Sequence, residues 1–153
     1  MVRYKSITHE RTEDAPFVGA LICAIDCQFN CNNCFNQDIK NSSILIKDHK
    51  EVIQEVKNNK FNKGVILAGL EWSLQPDELR LLVHEALKNN LEVIIYTGMN
   101  EKDFDIQFSD LIELPIYVKY GRYDENYKED SYYCYGVKLA TSNQKIYKKG
   151  KDY

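Results

Sequence analysis

Proline and glycine are few, 3 and 7 of 153 residues, and no low-complexity tract or internal repeat interrupts the chain. At this length that pattern fits one domain with a real core. There is no basic excess. A net charge of −3 argues against a nucleic-acid binder, which would carry a basic face. No long hydrophobic run occurs. The first apolar stretch, Ala15 to Ile25, is too short to span a membrane and leads into cysteines, not a cleavage site. No targeting signal is visible. Paired cysteines are also lacking. The five are odd in number and three are crowded together, which excludes a secreted disulfide framework and points to a reducing cytoplasm.

What is present is Cys27-Gln28-Phe29-Asn30-Cys31-Asn32-Asn33-Cys34, three thiols spaced by three residues and then two. A bent backbone with this spacing can offer three sulfurs to one inorganic centre. A four-iron cluster so held keeps one iron without a protein ligand, an open corner where chemistry can occur. Two other readings stand beside it. One is a structural zinc site with Cys23, Cys134 or a histidine as fourth ligand; the other is plain loop cysteines. Zinc sites usually pair their ligands in two separated units. Here Cys134 is alone, and His9, His49 and His84 are scattered. Cys23, four residues before Cys27, offers a second triplet, but it falls inside an apolar run where free cysteine often fills a core.

Along the chain, residues 1–14 read as an edge strand or an arm. Phe17 to Ile25 has the continuous apolar character of a buried strand. Asp48 to Glu51 resembles a capping box, with Val52, Ile53 and Val56 making 48–59 an amphipathic helix. Gly64 to Gly69 is a second strand. Pro76, Asp77 and Glu78 start a helix whose stripe is Leu79, Leu82, Val83, Ala86 and Leu87. Glu92 to Tyr96 is a third strand, Asn100 caps a helix near 101–106, and residues 116–119 form a fourth strand. Strands alternating with helices imply a parallel sheet with right-handed crossovers. The tyrosine-rich last third reads as one or two irregular strands, with 148–153 a frayed tail. In such a sheet, ligands bind at the carboxyl ends of the strands. The cysteine loop, Gly69-Leu70-Glu71, Thr97-Gly98 and Lys119 to Arg122 all fall on that rim.

CxxxCxxC resembles the signature of the radical S-adenosylmethionine (SAM) superfamily. Its continuation, Cys34-Phe35-Asn36, is similar to the small activating enzymes of glycyl-radical proteins. Ala68 to Gln75 resembles the superfamily's Gly-Gly-Glu segment, with Leu70 for the second Gly and Trp72 for a frequent Pro. Gly121-Arg122-Tyr123 and Ser142-Asn143-Gln144-Lys145-Ile146 resemble late segments of the activating enzymes of anaerobic ribonucleotide reductase, with Tyr120 where an acid is usual.

The resemblance implies a short, incomplete α/β barrel over the whole of 1–153, with a mostly parallel sheet. It implies a [4Fe-4S] cluster on Cys27, Cys31 and Cys34. It also implies SAM contacts from Phe35, Asn36, Gly69, Glu71, Thr97 and Lys119. The implied activity is reductive SAM cleavage that places a radical on a glycine of the large reductase subunit, with a reductant such as flavodoxin as electron donor. A formate-lyase type partner, a small-molecule substrate and a non-catalytic zinc or iron–sulfur module are the alternatives. Trp72 and the late tyrosines are expected at the partner surface, or else the tyrosines pack the sheet edge.

Overall fold

A computed structural model describes residues 1–26, 43–128 and 132–150. Its centre is a six-stranded mixed sheet. Four strands run parallel and lie side by side in chain order: β3 (Gly19–Cys23), β5 (Gly64–Ala68), β6 (Glu92–Tyr96) and β7 (Tyr117–Tyr120). Two edge strands run against them, β2 (Ile7–Arg11) beside β3 and β10 (Lys145–Lys148) beside β7. A short ribbon pairs β1 (Val2–Tyr4) with β4 (Leu45–Lys47), and β8 (Tyr133–Cys134) with β9 (Val137–Lys138) forms a hairpin.

The helices form where the sequence supplies caps and a stripe. Asp48 caps α1 (His49–Asn58), accepting from the Lys50 N–H. Pro76 occupies the first turn of α2 (Pro76–Lys88), and Asn100 caps α3 (Glu101–Gln107) through the Asp103 N–H. Buried Val52, Ile53 and Val56 from α1, Leu79, Leu82, Val83 and Ala86 from α2, and Phe104 from α3 share one core. They pack there with Ala20, Ile22, Val65, Leu67, Val93, Ile95 and Val118 of the sheet. All three described helices therefore cover one face. The opposite face, with Ile66, Ala68, Ile94 and Tyr117, packs against Ala15, Val137, Leu139 and Ile146 instead.

Two expectations change. Residues 1–14 are neither a single strand nor an arm but β1 and β2. Of the tail expected to fray, 148–153, residues 151–153 lie outside the described residues and 148–150 are held: Lys148 closes β10, Lys149 N–H donates to Ile116 O (2.7 Å), and Gly150 N–H donates to Ile112 O (3.1 Å). Lys149 Nζ also pairs with Glu101 (2.7 Å) and Asp105 (3.1 Å) on α3. Among the described residues, no helix is long and apolar enough to cross a membrane.

Candidate functional site

Just before the cysteine segment, the chain leaves β3 under close control. Ala24 N–H donates to Ala68 O (3.2 Å), Ile25 N–H to Gln75 Oε1 (3.0 Å), and Asp26 O accepts from Glu71 N–H (2.7 Å). Cys27, Cys31 and Cys34, with Phe35 and Asn36, lie outside the described residues. The backbone immediately before them is nonetheless hydrogen-bonded to the loop that follows β5.

Glu71 is the hub of the rim. Its carboxylate is buried and accepts three hydrogen bonds, from Ser73 N–H (3.2 Å), Thr97 Oγ1 (2.9 Å) and Gly98 N–H (2.7 Å). Thr97 N–H in turn donates to Lys119 O (2.9 Å), and Gly121 N–H to Met99 O (3.1 Å). The loops after β3, β5, β6 and β7 are thus joined by one run of hydrogen bonds. Of the residues expected at the site, Gly69, Glu71, Thr97 and Lys119 all lie on this rim. An ionised carboxylate has about four acceptor directions, so three donors leave Glu71 one more.

Gly69 has a local reason to be glycine. Its φ is 87°, and a Cβ there would lie 2.3 Å from Cys23 Sγ. Cys23 is itself buried in the helix-side core, and burial pushes its thiol up to about 11. Cys134 packs against the opposite face and donates to Ile146 O (3.4 Å). The sheet separates these two thiols, so they cannot serve one metal site together. Among the described residues, no three His, Cys, Asp or Glu side chains gather to hold a metal.

Trp72 corrects an expectation. It is fully buried, and its indole N–H donates to Ile22 O (3.0 Å) beneath the rim, so it offers nothing to a partner. Gln75, which precedes the helix start at Pro76, has a role that the sequence does not signal. Its buried amide accepts from Ile25 N–H and donates to Arg3 O (2.8 Å) and Glu78 Oε2 (2.9 Å), bracing the exit of β3. Nothing in the local sequence distinguishes such a glutamine from a solvent-facing one.

On the helix-free face, Lys119 Nζ lies 4.4 Å from the centre of the Tyr96 ring. The Tyr96 hydroxyl donates to Asp14 O (2.5 Å), and burial, then the nearby Asp14 charge, raise its pKa. The two late segments meet in space. Gln144 Nε2 donates to Gly121 O (3.2 Å) and Asn143 Nδ2 to Arg122 O (3.0 Å). Beside them opens a cleft of about 570 Å³, bordered by Gly98, Asn100, Tyr120, Arg122, Asn143 and Lys145. Tyr120, where an acid was usual, donates to Asp105 (2.6 Å); burial first and then this bond raise its pKa.

The α/β sheet and the three thiols crowded in the sequence after β3 fit an iron–sulfur cluster domain. The family model described as a 4Fe-4S single cluster domain matches residues 18–147, and the chain belongs to that family. A search of curated proteins returns no match.

Proposed function

We propose that this protein is a radical SAM activating enzyme, with Cys27, Cys31 and Cys34 holding the cluster and the anaerobic ribonucleotide reductase as its substrate. The observation that carries the reading is the bonded rim, in which Asp26, Glu71, Thr97, Gly98 and Lys119 converge beside the cysteine segment. The family itself is associated with radical SAM proteins. The parallel strands in chain order, with the three described α-helices on one face, suit a short partial barrel of that type. The donor set fits: three thiolates at this spacing suit an iron–sulfur cluster.

A cluster held by Cys27, Cys31 and Cys34 would supply the electron for reductive cleavage of SAM, and with it the power to take hydrogen from a glycine. The chain's own residues bind and orient. Glu71 keeps an acceptor direction for the methionyl ammonium, while its three donors hold the carboxylate still. Lys119 offers a cation to the methionyl carboxylate. Thr97 and Gly98 present backbone to the same ligand. The last third covers part of the helix-free face, and a partner closes what remains.

The test is anaerobic reconstitution followed by reduction with SAM. About four irons per chain and release of 5′-deoxyadenosine are expected. A tightly held zinc with no SAM cleavage would support a binding module. A glycyl radical formed on a formate lyase and not on the reductase would change the partner.

A further inference from the structure

The chain from Glu71 to Gln75 grips the end of β3 through three of its groups. The Trp72 indole N–H donates to Ile22 O (3.0 Å), Glu71 N–H donates to Asp26 O (2.7 Å), and Gln75 Oε1 accepts from Ile25 N–H (3.0 Å). A single 3-10 turn, Trp72–Leu74, spaces these groups. The Asp26 bond joins main chain to main chain, so most substitutions leave its partners in place. The Ile25 bond depends on the side chain at position 75.

Gln75 is 2% exposed, and both ends of its amide are engaged. The oxygen serves Ile25 N–H, and the nitrogen, with two hydrogens, serves Arg3 O (2.8 Å) and Glu78 Oε2 (2.9 Å). Glu78 is itself held by Arg3 (2.6 Å), so the amide is fixed from behind. An apolar residue would leave the Ile25 amide without this acceptor, and a glutamate would set a second carboxylate beside Glu78. Gln75 is also the N-cap of α2, yet its side chain makes no capping bond. Helix stability favours Ser, Thr, Asp or Asn at such a position. The glutamine directs its amide away from its own helix, onto the backbone two residues before Cys27.

We infer that Gln75 is a positioning residue for the metal centre: by fixing the Ile25 amide, it sets the direction in which the chain enters the Cys27 segment. Groups that orient metal ligands without touching the metal still govern how tightly it is held. The inference rests on the reading above, in which Cys27, Cys31 and Cys34 hold the cluster.

The experiment reconstitutes the full chain anaerobically with iron and sulfide. It follows iron loss to a chelator and records the electron spin resonance spectrum of the reduced cluster. Wild type is compared with Gln75→Met, Gln75→Ser and Asn62→Leu. Methionine removes the amide at similar length. Serine suits a helix N-cap but is too short to reach Ile25 N–H, so it supplies a folded variant where methionine fails. Asn62 is another buried amide, bonded to Glu10 N–H (3.0 Å) and Val56 O (3.0 Å). It precedes β5, at the end of the sheet opposite the rim, and controls for lost stability alone. Urea midpoints of the same proteins are measured alongside. Iron loss should quicken at least about tenfold in the Gln75 variants, with an altered spectrum, and stay near wild type in Asn62→Leu. A wild-type rate and spectrum in Gln75→Ser overturn the inference. Equal quickening in Asn62→Leu overturns it too, by making the effect one of global stability. Uptake of zinc and no iron by wild type overturns the cluster reading instead. Faster zinc loss in the same Gln75 variants would then keep the positioning role, and unchanged zinc loss would remove it.

Discussion

Gly69 is fixed from two sides, by a positive φ and by the sulfur of Cys23 beneath it. Gly69→Ala should cost about 2–4 kcal/mol, the sum of left-handed backbone strain and overpacking. In a Cys23→Ala background part of that cost should vanish, because the nearest clashing atom is gone. Urea denaturation of the four proteins in the cycle measures the coupling. Thr97 makes a different test. Its hydroxyl donates to the buried Glu71 carboxylate and accepts from Met99 N–H (3.1 Å). Thr97→Val keeps the shape and removes both bonds, and should destabilise by about 1.5–3 kcal/mol, while Thr97→Ser should cost much less.

Among elements, the parallel strands and the three helices were legible because their signals are local. β5 is buried at every position, caps stand at Asp48 and Asn100, and Pro76 marks the first turn of α2. β4 was not legible: it is three exposed residues, and only β1 makes it a strand. Glu71 was recognised as a rim residue, but its three donors come from the loops after β5 and β6, which no spacing rule brings together. The predicted capping box was half right, since Asp48 accepts from Lys50 and not from the Glu51 N–H.

β1 is clasped to α2 by Arg3 and Glu78 (2.6 Å). Burial alone would raise the Glu78 carboxyl, but hydrogen bonds from Arg3 and Gln75 outweigh it and hold the group below the usual carboxylate range. A depressed carboxyl contributes stability above its unfolded pKa and loses it as pH falls through the folded value. Arg3→Met should therefore be less stable than wild type at neutral pH. The gap should close as acid protonates Glu78, which urea midpoints from pH 7 down to pH 3 would follow.

For the whole molecule, the decisive question is which sulfurs hold metal. Ala substitution of Cys27, Cys31 or Cys34 should abolish iron binding after anaerobic reconstitution. Cys23→Ala and Cys134→Ala should keep most of it, since one thiol is buried in the helix-side core and the other packs on the far face. Iron retained in Cys34→Ala but lost in Cys23→Ala would select the other triplet. The bond from Glu71 N–H to Asp26 O has one more consequence. It couples the sheet to the residue beside the first thiol, so restraining that thiol also restrains this amide. Hydrogen exchange at Glu71 should slow when iron is loaded and recover when a chelator strips it, giving the protein a built-in gauge of its own occupancy.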